Sequence, residues 1–179
     1  AKEKNIQAAM NDTQVAATLE EFGCDGSLME AREKQDYLMV VNSNILGEKS
    51  DAKITQNIRH QAVINEFGEV EVTVAIEREH HGIPKEPFYG YTNLNYLRIY
   101  VPKGAELISA EGFSEPNEKY FHESESWYAQ DEHIQKHNEF SKLHEESGTI
   151  IAEDLGKTVF ENWMITNPQG KSVAYVVYT

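Results

Sequence analysis

The run EHIQKHNEFSKLH comes nearest to a chemical signature in this 179-residue sequence. His133 and His137 are spaced i, i+4 and His144 follows seven residues on, so on one continuous helix all three would share a face. Two imidazoles at that spacing can bind zinc. A metalloprotease also needs a Glu directly after the first His as general base, and Ile134 stands there. The plainer reading is a solvated amphipathic helix whose Ile134, Phe140 and Leu143 touch the body. A second group is EREHH. On a strand Glu77, Glu79 and His81 project from one face, where carboxylate and imidazole could do acid–base work, hold a cation, or simply form a polar sheet surface beside a loop. Tyr89 and Tyr91 crowd a loop together with Phe88, while Trp127 and Tyr128 lie further along. Such residues can form a recognition surface for sugars or proteins, or serve ordinary packing.

Other chemistry is excluded residue by residue. GKT at 156–158 lacks the glycine that a phosphate loop needs five residues earlier, since Ile151 occupies that place. Cys24 is the only cysteine, so neither an intramolecular disulfide nor a multi-cysteine zinc site can form. As a nucleophile it would need a base and an orienting group, and its neighbours supply neither. No nucleophile elbow, dinucleotide fingerprint or calcium loop occurs, and the acceptor tripeptide Asn11-Asp12-Thr13 is too common by chance to carry weight. A formal net charge of −14 repels nucleic-acid phosphates and anionic membrane surfaces. The residues imply no cofactor, and the histidines offer adventitious or real binding of a divalent metal.

The elements that must position these residues are mainly strands. Residues 2–22 read as two short helices: Ile6, Ala9 and Met10 share a face, Asp12 is an N-cap, Val15, Leu19 and Phe22 recur at helical spacing, and Gly23 stops the run. DYLMVV at 36–41 is a short buried strand. From Lys53 the period becomes two: Ile58, Ala62 and Ile64, a turn at NEFGE, then Val70, Val72, Val74 and Ile76 alternating with polar residues, which together predict a hairpin. In NLNYLRIYV, Leu97, Ile99 and Val101 line one face and Leu94, Tyr96, Arg98 and Tyr100 the other. Bulk on both faces predicts a central strand or one covered by loops. PKG at 102–104 is expected to turn this strand into a hairpin with the segment at Leu107 and Ile108. TIIAE, KTVFENWMIT and KSVAYVVY predict three further strands, the last two joined by a tight turn at NPQG.

Between Glu111 and Asp154 twelve acidic residues face three lysines, which accounts for nine of the fourteen net negative charges. This region, about 111–149, is expected to be an exposed insertion, helical around 129–145. About seven strands between 53 and 178 with short turns predict an α+β fold, mainly β: an antiparallel immunoglobulin-like β-sandwich preceded by a short helical and strand segment. A composition 40% hydrophobic and 26% charged is that of a folded domain and not of a disordered chain. The chain opens on AKEKNIQAAM with neither an initiator Met nor a basic region followed by an apolar core, so it is expected to be a piece of something longer with no signal peptide of its own.

Three stretches carry a resemblance: Asn44, Gly47, Lys49, Ser50 and Asp51 in the run N-x-x-G-x-K-S-D, the Y-V-P-K-G run of Tyr100 to Gly104, and G-K-T-V-F of Gly156 to Phe160. From about residue 2 to its end the chain resembles the C-terminal part of the bacterial family known as domain of unknown function 4012. The resemblance implies a soluble, outward-facing piece of an envelope protein with an N-terminal membrane anchor, and it carries over no catalytic residue. It also implies that residues 1–50 are the tail of an upstream domain, that residues 53–179 are the sandwich, and that Lys49-Ser50-Asp51 joins the two. The expected function is non-catalytic: scaffolding, or binding a protein or glycan at the cell surface, with no nucleic-acid partner and with the membrane involved only through the anchor. The alternative is a metal-dependent site or hydrolase built on the histidine and carboxylate clusters.

Overall fold

The computed structural model describes residues 7–28, 35–122 and 125–179. The chain divides into two compact units, Ala1–Gln35 and Asp36–Thr179. In the first, helix α1 (Thr13–Glu21) starts where Asp12 caps it: the carboxylate accepts from the backbone N–H groups of Gln14 and Val15 at 2.9 and 3.1 Å. The helix ends at Gly23, whose φ of +62° and amide bonded back to Glu20 O close the last turn. Residues 7–12 are not helical, and the remainder of the first expected helix lies outside the described residues.

The second unit is an antiparallel β-sandwich. One sheet contains β1 (Met39–Asn44), β4 (Asn93–Val101), β6 (Lys142–His144), β7 (Thr149–Asp154) and β8 (Lys157–Thr166), in the order β1-β4-β8-β7-β6. The other contains β2 (Ile54–Ile64), β3 (Val70–His80), β5 (Leu107–Glu111) and β9 (Lys171–Tyr178), in the order β2-β3-β9-β5. The last strand thus lies in the sheet of β2 and β3. The immunoglobulin order sets its last strand in the sheet opposite its first two, so the likeness is one of architecture. The strand at DYLMVV starts later than expected and, as β1, pairs with β4 from Met39↔Tyr100 to Asn44↔Asn95. It belongs to the sandwich and not to a preceding segment.

The β2–β3 hairpin forms as the alternation predicts. Its turn is held by Asn65, whose Oδ1 accepts from the N–H of Phe67 and of Glu69, both at 2.9 Å. The Pro-Lys-Gly connection differs from expectation. It does not close a hairpin: β4 bonds to β1 and β8, while β5 bonds to β9 in the opposite sheet. NPQG likewise carries the chain from one sheet to the other, with Gly170 N bonded to Asn167 O at 2.8 Å. A short turn fixes how far the chain travels but not which ladder the next strand joins.

The apolar core lies between the sheets. Val72, Val74 and Ile76 face Leu97, Ile99 and Val101, with Phe160, Met164, Ala174, Val176 and Tyr178 completing it. Phe160 and Tyr178 meet across the gap, their ring centroids 5.8 Å apart. The described part of the acidic insertion contains regular elements. It holds helix α2 (Glu132–Phe140), capped by Asp131 through the N–H groups of His133 and Ile134, and then β6, which pairs with β7. The expected helix over 129–145 is therefore shorter. Ser141 takes an extended conformation and redirects the chain into the sheet edge.

Candidate functional site

On β3 and β4 the inward-facing rows of side chains turn polar toward one end of the sandwich. On β3, Val72-Val74-Ile76 gives way to Arg78 and His80; on β4, Val101-Ile99-Leu97 gives way to Asn95 and Asn93. The Arg78 side chain is 3% exposed, so its charge is nearly cut off from water. Nη2 donates to Asp51 Oδ1 and Nη1 to Asn42 Oδ1, both at 2.9 Å. Burial pulls its pKa below the ordinary value, and the Asp51 carboxylate opposes that shift. Asn93 Nδ2 donates to the same Asp51 oxygen and to Ser50 Oγ, and Asn44 Nδ2 donates to Ser50 Oγ and to Gly47 O. The N-x-x-G-x-K-S-D run is therefore a connection locked by its own side chains and clamped to β3 and β4.

A second polar group lies on the opposite, outer face of the five-stranded sheet. Glu161 on β8 is 3% exposed. Its Oε2 accepts from Tyr96 Oη at 2.7 Å and pairs with His137 Nε2 of α2 at 3.1 Å. This pairing fastens α2 over the sheet. Beside it Tyr100 Oη donates to Asp154 Oδ2 at 2.8 Å. Burial, and then the bond to Asp154, push the Tyr100 phenol up to about 12; burial raises Tyr96 and Tyr178 as well. An unfolded tyrosine ionises near 10, so above that pH the unfolded chain binds fewer protons than the folded one. The stability these phenols lend is complete below about pH 10 and is lost as pH rises toward 12. Thermal melts across this window should show Tm falling, with a shallower fall for Tyr100→Phe than for the parent.

The same outer face carries a groove of about 660 Å³. Trp163, two residues from Glu161 on β8, forms its floor. The Trp163 ring packs against Tyr96 with centroids 4.7 Å apart and meets Phe121 of the insertion edge-on at 5.5 Å. Ser114 N donates to Trp163 O at 3.1 Å, fixing the strand that enters the insertion against β8. Phe113, Phe121 and Leu143 give apolar walls, and Glu115, Glu118 and Glu145 add carboxylates. The groove's volume falls within the range of ligand pockets.

The residues singled out in the sequence do not assemble into one site. His133 and His137 share α2, but His144 has left the helix for β6, where its Nδ1 bonds to Ser147 Oγ at 2.8 Å. The shared face expected for the three histidines is broken because the helix ends at Phe140. Among the described residues no three His, Cys, Asp or Glu side chains gather closely enough to hold a metal ion. Glu77 and Glu79 share the outer surface of β3 and His81 follows just past its end, but each has a surface partner: Glu77 pairs with Lys171 at 2.8 Å, and His81 lies 4.0 Å from Glu79 and 2.8 Å from Thr55. Tyr89 and Tyr91 lie in the loop after β3, and Trp127 stacks on Tyr128 at 4.3 Å within the insertion; none of the four lines the groove. Sequence reasoning missed Arg78, Asn93 and Glu161. Continuing the period-two count past Ile76 reaches Arg78 on the inner face, a signal that was present but easily passed over for a charged residue.

No family model, curated protein or solved structure matches the chain. Among the described residues no helix is long and apolar enough to cross a membrane.

Proposed function

We propose that this chain is a non-catalytic binding module of the bacterial cell envelope, a sandwich that holds a partner, protein or glycan, on the outer face of its five-stranded sheet. The observation that carries this reading is the groove over Trp163, where a rigid sheet supplies the floor and the insertion supplies the walls. A loop excursion on a rigid frame is where binding residues concentrate in such folds. The location rests on the resemblance carried by the runs Asn44–Asp51, Tyr100–Gly104 and Gly156–Phe160, in an outward-facing protein anchored by a segment outside this sequence. A second reading takes His137, oriented by the buried Glu161, as a general base toward the cavity of about 260 Å³ under α2. Among the described residues no Ser, Thr or Cys lines that cavity to serve as nucleophile, and Asp154 on its wall already accepts from Tyr100. Binding is therefore the better account.

Capture of purified cell-wall fragments and envelope proteins by the immobilised chain tests it. Trp163→Ala should reduce capture by about tenfold or more, as removal of a central aromatic anchor does. Equal capture by parent and variant, with both shown folded by their melts, would remove the groove from the account.

A further inference from the structure

We infer that the groove over Trp163 receives a lysine- or arginine-bearing segment of a partner protein; this rests on the binding-module reading above and names its ligand. The first observation is the charge of the lining. Glu115, Glu118 and Glu145 contribute carboxylates, and no Lys, Arg or His is among the described lining residues. Elsewhere in the unit Asp51 pairs with Arg78, Glu77 with Lys171 and Glu153 with Lys103. The three groove carboxylates make no ion pair or side-chain hydrogen bond with any described residue. The insertion's Lys119 lies instead over the ring of Tyr120 at 5.1 Å. Three carboxylates lining one concave surface give it a negative potential that favours an entering cation.

The second observation is the wall between these carboxylates. Trp163, Phe121 and Phe113 present aromatic surface, and an ammonium or guanidinium over an aromatic face gains attraction that a neutral ligand does not. A lysine or arginine side chain matches both parts at once, its aliphatic stem against the rings and its charged head toward the carboxylates. The partner is a protein segment and not a small cation because apolar contact surface continues out of the groove. Phe121 and Leu143 line it while remaining 43% and 63% exposed, and aromatic surface of this kind is enriched at protein interfaces. The net charge of −14 would also speed encounter with a basic partner.

Fluorescence anisotropy with the full chain and four probes tests the inference: a lysine-rich peptide, its glutamate counterpart, spermine and a neutral chito-oligosaccharide. The lysine-rich peptide should bind, and the Glu115→Gln/Glu118→Gln/Glu145→Gln variant should weaken it about tenfold or more. The surface control Glu77→Gln/Glu79→Gln should leave it unchanged. Added salt should weaken binding, and the glutamate peptide should not bind. Equal loss in the control variant would show that net charge, not the groove, holds the peptide, and would overturn the inference. Binding of spermine alone would overturn the choice of a protein segment. Binding of the oligosaccharide that depends on Trp163, without peptide binding, would overturn the cationic ligand but leave the binding module standing. No Trp163-dependent binding of any probe would overturn both.

Discussion

Asp51→Ala is expected to cost about 3–5 kcal/mol of folding stability, the penalty for leaving a buried charge without its partner. Asp51 is itself half-exposed, so its loss from the surface would look harmless. Arg78 is the reason it is not. The guanidinium is 3% exposed and keeps only Asn42 as an acceptor once the carboxylate is gone, and Asn93 loses the same oxygen. At roughly 2–4 °C per kcal/mol for a chain of this length, Tm should fall by about 6–20 °C. The asymmetry of buried ion pairs makes the prediction sharper. Asp51→Asn should cost less than Asp51→Ala because an amide oxygen can still accept, and Asp51→Ala/Arg78→Met should cost less than Asp51→Ala alone because the stranded charge has been removed. Urea melts of the three variants and the parent check the order. A double variant no more stable than Asp51→Ala would show that Arg78 is not the group being stranded.

Phe160→Ala is the other large effect, expected at about 3–5 kcal/mol. Phe160 is 1% exposed on β8, whose neighbours β4 and β7 hold it in place, and its ring meets Tyr178 from the opposite sheet. Truncation leaves a void that neither ladder can close, because the strands on both sides fix the spacing of the sheets. Phe160→Leu, which keeps most of the volume, should cost about 1.5 kcal/mol or less. Chemical denaturation distinguishes them. Similar costs for Ala and Leu would mean that the inter-sheet contact with Tyr178 contributes little.

The sequence shows rhythm but not partnership. Val72-Val74-Ile76 and the long run of β8 announce strands because one face is apolar at every second residue, a consequence of the pleat alone. Pro102-Lys103-Gly104 announces a short connection for equally local reasons. That β4 and β5 then part into different sheets is decided by β1, β8 and β9, distant in sequence, and no local rule contains that choice. The clamp around Arg78 was legible only by trusting the alternation over the chemistry: a charged residue at an inward position is read as outward unless a counter-charge is already known, and Asp51 reaches it from a separate connection. The groove was still less legible. Trp163 stands in the sequence as one more aromatic, and it becomes part of a groove only when Phe121 and Ser114, from the other end of the insertion, fold onto it. The acidic character of the insertion was plain, while its docking onto the sheet through His137 and Glu161 was not.

Residue-resolved amide NMR of the chain, titrated with the lysine-rich peptide, addresses the central claim most directly, because it reports where a ligand sits as well as whether it binds. Shifts should concentrate at Phe113 to Phe121, Glu145 to Gly148, and Asn162 and Trp163, with the β2–β3 hairpin silent. Shifts centred instead on that hairpin or on the loop holding Tyr89 and Tyr91 would contradict it.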